Sequence, residues 1–100
     1  MKEIEEIFYI NGEWIHKNLV YDLRKISKEV RRGECDLGDI FHIFHYGSCT
    51  VDITYNLYAK TLNLKIVSET ENNTKKTYET LDKKIEEYSK EYCDPTGLQI

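Results

Sequence analysis

Between Ile40 and Ser68 the chain reads IFHIFHY, GS, CTVDITYNLY, AK and TLNLKIVS: three runs of alternating character separated by two short turn sequences. Strand side chains alternate between faces with period two, so two turns that each pin a register must agree on which residues face the core. A two-residue turn at Gly47-Ser48 sets Phe44 opposite Val51, His42 opposite Ile53 and Ile40 opposite Tyr55. A second, at Ala59-Lys60, sets Leu57 opposite Leu62, Tyr55 opposite Leu64 and Ile53 opposite Ile66. Both put Val51, Ile53 and Tyr55 on one apolar face, and a one-residue slip would turn them all outward. The pattern predicts a three-stranded antiparallel meander over residues 39–69. Ile40, Ile43 and Phe44 also fit a short helix over 39–46, capped by Asp36 or Asp39; the matched partners across Gly47-Ser48 favour strand.

The flanks carry different periods. Residues 3–10, EIEEIFYI, meet Asn11-Gly12, the dipeptide best suited to a type I′ turn, and EWIH follows. This predicts an N-terminal hairpin over 3–16 with two apolar faces, one of which carries Tyr9 and Trp14. From Asn18 onward Leu19, Leu23, Ile26 and Val30 recur at helical spacing, with Gly33 as a stop, predicting a helix over 17–33. Tyr78, Leu81, Ile85, Tyr88 and Tyr92 predict a second helix over 74–93, ending before Asp94-Pro95, with a short tail over 94–100. The expected fold class is α+β: an antiparallel sheet in ββαβββα order with two amphipathic helices packed on one face, as one small domain over residues 1–100.

A chain of 100 residues is long enough for one core without disulfide staples. Cys35, Cys49 and Cys93 are odd in number and lack a C-x-x-C pair, so reduced thiols are expected. No apolar run reaches membrane-spanning length and MKEIEEIF carries acid where a signal peptide carries base, so a cytoplasmic protein with no membrane partner is expected. The Lys, Ile, Asn, Glu and Tyr content is of a kind common in AT-rich genomes and their viruses.

Metal-ligating residue types are present in His16, His42, His45, Cys35, Cys49 and Cys93, but not at zinc-site spacing. On a strand His42 and His45 point to opposite faces, so no metal or other cofactor is expected; on a short helix over 39–46 they would share a face, and a small enzyme or metal protein using the Cys/His set is an alternative. No nucleophile elbow, phosphate-binding loop or H-E-x-x-H occurs, and no enzyme is expected. Residues 17–32 hold six basic residues, Lys17, Arg24, Lys25, Lys28, Arg31 and Arg32, against two acidic ones, in a chain of net charge −4. That face is the candidate for nucleic acid. The order α-β-β-β-α after residue 16 resembles a double-stranded-RNA-binding domain, and Lys75-Lys76 resembles that family's basic pair, which implies the same partner class. The chain departs from the family at Glu79, at the tight Gly47-Ser48 turn and in its N-terminal hairpin. The reading favoured over it is a small acidic protein-binding module, an inhibitor or immunity-type factor of phage or mobile-element origin. Such a module binds another protein, for example a nucleic-acid-handling one, or a second copy of itself as a homodimer. Its expected contacts are Tyr9, Trp14, Phe41 and Ile43, which a hairpin joined to the sheet would gather into one aromatic patch.

Overall fold

The computed structural model describes residues 2–10, 12–35 and 37–97, with side chains described through residue 90. The elements in chain order are β1 (Lys2–Tyr9), α1 (Glu13–Ile26), β2 (Lys28–Glu34), β3 (Asp39–Tyr46), β4 (Cys49–Asn56), β5 (Thr61–Ser68) and α2 (Glu71–Gly97). The five strands form one antiparallel sheet in the order β1-β5-β4-β3-β2, and the class is α+β.

The β3–β4 pair has the expected register, with Phe44 opposite Val51, His42 opposite Ile53 and Ile40 opposite Tyr55. Gly47 begins the turn with φ of 62°, a conformation that costs glycine little. The β4–β5 pair differs: Tyr55 faces Leu62, Ile53 faces Leu64 and Val51 faces Ile66, two residues from the expected register. Asn56 is the cause. Its side-chain oxygen accepts from the backbone N–H groups of Tyr58 and Ala59, and its carbonyl accepts from Lys60 N–H, closing a wider turn over residues 57–60. A shift of two preserves parity, so the face survives while Leu57 moves from the sheet into the turn.

The N-terminal hairpin does not form. β1 instead pairs along its whole length with β5, from Lys2 opposite Ser68 to Tyr9 opposite Thr61. Asn11 lies outside the described residues; Gly12 is the N-cap residue of α1. The helical period begins at Ile15, a turn earlier than Asn18: Ile15, His16, Leu19, Val20 and Leu23 form the buried stripe. Trp14 packs back over the junction so closely that a Cβ on Gly12 would collide with its ring. The helix expected over 17–33 stops at Ile26, where the Ser27 hydroxyl and N–H both donate to the Leu23 carbonyl. Residues 28–34 then pair with β3 as an edge strand, with a bulge between Glu29 and Arg31. Ile26 and Val30 continue the helical spacing, yet they are 51 % and 42 % exposed. The observed order is thus βαββββα rather than ββαβββα, and the α-β-β-β-α order of double-stranded-RNA-binding domains is absent.

α2 starts three residues before the expected 74, because the Thr70 hydroxyl accepts from Asn73 N–H as an N-cap. It runs to Gly97, past the expected stop at Asp94-Pro95, where a proline removes only a bond of the last turn. Both helices cover the same face, on which Phe44, Val51, Ile53, Leu62, Leu64 and Ile66 are fully buried with Leu19, Leu23 and Leu81. Tyr88 of α2 donates to Asp22 of α1, which also receives Lys84 at 3.9 Å, so the helices are tied to each other as well as to the sheet.

The register shift makes two leucines unequal. Leu64→Ala should cost about 2–5 kcal/mol in urea unfolding, whereas Leu57→Ala, at a turn residue 40 % exposed, should cost less than about 1 kcal/mol. Comparable losses would restore the register expected from Ala59-Lys60.

Candidate functional site

With both helices on one side, alternate residues of all five strands form a helix-free face on the other. Tyr9, Phe41 and Ile43 lie on it. Phe41 and Ile43 are two apart on β3, while Tyr9 and Ile7 are two apart on β1, three strand spacings or about 14 Å away. Thr54, Asn56, Thr61 and Asn63 lie between them on β4 and β5. The expected single patch is therefore two apolar strips flanking a polar centre. Trp14 belongs to neither: it sits on α1, on the opposite side of the sheet, half-buried against the core. Tyr9 is 84 % and Ile7 55 % exposed. Phe41 lies across Gly33 of β2, where a Cβ would approach its ring to 2.8 Å, and Arg31 stands 5.8 Å from the ring centroid. The face differs in charge between its margins, with Glu3 and Glu5 on β1, where Lys65 of β5 lies 4.0 Å from Glu3, and Lys28 and Arg31 on β2.

The six basic residues do not form the single face expected of a helix over 17–33, because α1 ends between them. Lys17, Arg24 and Lys25 stay on α1, where Lys17 meets Glu13 at 3.5 Å and Lys25 lies 4.2 Å over the Tyr21 ring. Lys28 and Arg31 face the helix-free side of β2, and Arg32 faces the helix side opposite His42.

A second arrangement went unforeseen. His16 of α1 and His42 of β3, 26 residues apart in sequence, meet with ring centroids 5.2 Å apart, and the Tyr55 ring stacks on His16 at 5.3 Å. His16 is 4 % and His42 9 % exposed. Glu29, on the helix side of β2 just before the bulge, accepts from His42 Nδ1 at 2.6 Å and from Arg24 Nε at 3.1 Å. Burial alone would raise the Glu29 pKa, but the Arg24 and His42 hydrogen bonds outweigh it and hold the carboxyl below its usual range. An ionised Glu29 requires the proton of His42 on Nδ1, leaving Nε2 with the lone pair when the ring is neutral. His16 is pushed down to about 4, first by burial and then by the positive charge of His42, Lys17 and Arg24. Its Nε2 is buried without a hydrogen-bond partner among the described residues. Both rings line a cavity of about 340 Å³ with Glu13, Lys17, Val20, Tyr21, Arg24 and Ile40.

Read as part of a hairpin, His16 pointed elsewhere. The available signal was its place in the stripe Ile15, Leu19, Val20, Leu23, a polar ring among residues that a helix beginning at Glu13 must bury. His45 lies on the helix-free face, exposed. Cys35 is exposed, and Cys49 is buried with its thiol 3.3 Å from the Thr77 hydroxyl and 3.5 Å from the Asn73 carbonyl. The side chain of Cys93 lies outside those described. Among the described residues no three or more His, Cys, Asp or Glu side chains converge to hold a metal ion, and no helix is long and apolar enough to cross a membrane.

The chain matches no protein-family model and no curated protein at a significant level. Function has to be argued from these two surfaces.

The depressed pKa of His16 makes stability fall with acidity. In the unfolded chain His16 takes a proton near pH 6.5, whereas in the fold it resists to about 4. The unfolded state therefore binds more protons in that window, and stability is lost progressively from about pH 6.5 downward. Urea unfolding at pH 7.5 and pH 4.5 should show a loss of order 2–3 kcal/mol from this residue, and His16→Gln should flatten the slope.

Proposed function

We propose that the domain is a protein-binding module that acts by occupying a partner surface with its helix-free sheet face, in the manner of an inhibitor or immunity-type factor. The observation that carries this reading is the face itself: five strands left bare by both helices, with Ile7 and Tyr9 exposed at one margin and Phe41 and Ile43 half-exposed near the other. Exposed aromatic side chains bury large area at low entropic cost and are frequent anchors of protein interfaces. The charge difference between the margins gives orientation. A partner bearing base opposite Glu3 and Glu5 and acid opposite Lys28 and Arg31 would be steered into one register.

A net charge of −4 suits a basic partner, such as a nucleic-acid-handling protein inside the cell, and the composition suits a phage or mobile-element origin. On this reading the domain performs no catalytic step. Nucleic acid as the occupant is disfavoured by the acidic β1 margin and by Asp52 on β4 in the middle of the face, although the Arg31–Phe41 corner offers a cation and a ring together.

A tagged full-length chain is incubated with nuclease-treated host lysate, and the captured protein is then titrated against purified variants. Tyr9→Ala and Phe41→Ala should each weaken binding at least about tenfold, while Tyr58→Ala, at an exposed turn residue, should leave it unchanged. Unaltered binding by a folded Tyr9→Ala/Phe41→Ala double variant overturns the reading. Capture that disappears with nuclease and with Lys28→Glu/Arg31→Glu transfers the face to nucleic acid, and self-association lost in the same aromatic variants makes the occupant a second copy.

A further inference from the structure

The strand registers lay the helix-free face out in rows that cross all five strands. One row runs from Ile7 on β1 to Phe41 on β3 and Gly33 on β2, the next from Glu5 to Arg31, and the third from Glu3 to Lys28. Each row begins on β1 with the complement of its other end. The first sets an exposed aliphatic side chain against an aromatic ring lying over a glycine, and the other two set a carboxylate against a cation.

We propose that this face binds a second copy of the chain, face to face, about a two-fold axis that runs parallel to the strands along β4, the middle strand of the five. The proposal rests on the reading of the face as an interaction surface and names its occupant. Such an axis keeps every residue at its own level along the strands and exchanges the two margins, so β1 of one copy lies over β2 of the other. Ile7 then meets the Phe41 ring where it covers Gly33, Glu5 meets Arg31, and Glu3 meets Lys28, each contact being made twice. An in-plane axis perpendicular to the strands would instead set the acidic strand on itself and the basic strand on itself. The charges therefore select one of the two arrangements.

The groups concerned are accessible for these contacts. All four charged side chains are exposed, and Lys28 and Arg31 have no ion pair among the described residues. Glu3 reaches Lys65 only at 4.0 Å, with both side chains over 40 % exposed, a contact worth little in water. Glu5 accepts from Asn63 at 2.8 Å, and a carboxylate has further lone pairs for a guanidinium. Asp52 faces its own copy on the axis, with Lys65 opposite it on β5 in each sheet, so the middle of the interface is polar and wet and affinity comes from the margins. Strands of seven or eight residues at about 3.3 Å each, five of them about 4.8 Å apart, give a face of about 600 Å². Two copies thus bury about 1,200 Å², the lower end of the range for specific interfaces, which fits a dimer of micromolar stability.

Sedimentation equilibrium of the full chain from micromolar to millimolar concentration should show a monomer–dimer equilibrium that weakens with salt. Glu3→Lys/Glu5→Lys and Lys28→Glu/Arg31→Glu should each raise the dissociation constant at least about tenfold, because each brings like charges together at both margins. Mixed in equal amounts, the two variants should form a heterodimer, since every basic margin then meets an acidic one. A wild type that stays monomeric, a dimer indifferent to both variants, or folded variants that fail to associate when mixed overturns the proposal. The broader reading is judged separately: a monomeric chain whose captured lysate partner still depends on Tyr9 and Phe41 keeps the face as a binding surface and removes only the second copy.

Discussion

Phe44, Val51, Ile53, Leu62, Leu64 and Ile66 lie fully buried on one face of three neighbouring strands, and the rest of the fold answers the need to cover them. Neither helix alone spans that face. α2 packs toward β1, β5 and β4, and α1 toward β3 and β2, with the Tyr88–Asp22 and Lys84–Asp22 contacts joining the two. Covering one face with both helices leaves the other open on all five strands. The candidate partner surface is thus what remains once the core is satisfied, and it carries the exposed Tyr9 and Ile7 that the core did not need.

How far this was legible in the sequence depends on range. The β3–β4 register was readable because a tight turn and an apolar face constrain the same residues independently. The β4–β5 register slipped by two because the side chain of Asn56 closes a wider turn than Ala59-Lys60 implies, and parity concealed the difference. The two larger errors share one cause. Glu13 to His16 was read as strand and Lys28 to Gly33 as helix, since local spacing permits both, and only the pairing of β1 with β5 and of β2 with β3 decides between them. Tertiary pairing overrode an Asn-Gly signal at one end and the Ile26/Val30 spacing at the other.

The sites follow the same rule. Phe41 and Ile43 were placed on the helix-free face by alternation, whereas Tyr9 was placed there only through a hairpin that does not form; it reaches the face because β1 pairs with β5, and the separation into two strips depends on β5 lying between β1 and β4. Trp14 was lost from that face when its segment became helix. The same change created the histidine pair: beginning α1 at Glu13 carries His16 inward onto Tyr55 and His42, and ending it at Ser27 frees Glu29 to enter β2 and reach His42. Two misread boundaries thus conceal the most polar part of the interior.

The long β1–β5 pairing bears on how the chain assembles. β3, β4 and β5 are joined by short turns and can zip locally, but β1 meets a partner some 60 residues later in sequence, from Lys2 opposite Ser68 to Tyr9 opposite Thr61. On an emerging polypeptide β1 must wait, with Ile4 and Phe8 uncovered, until the fifth strand exists. The three glutamates at positions 3, 5 and 6 keep that waiting segment charged, which disfavours its pairing with other unfinished chains. The acidity of β1 thus has a use before the native sheet is complete.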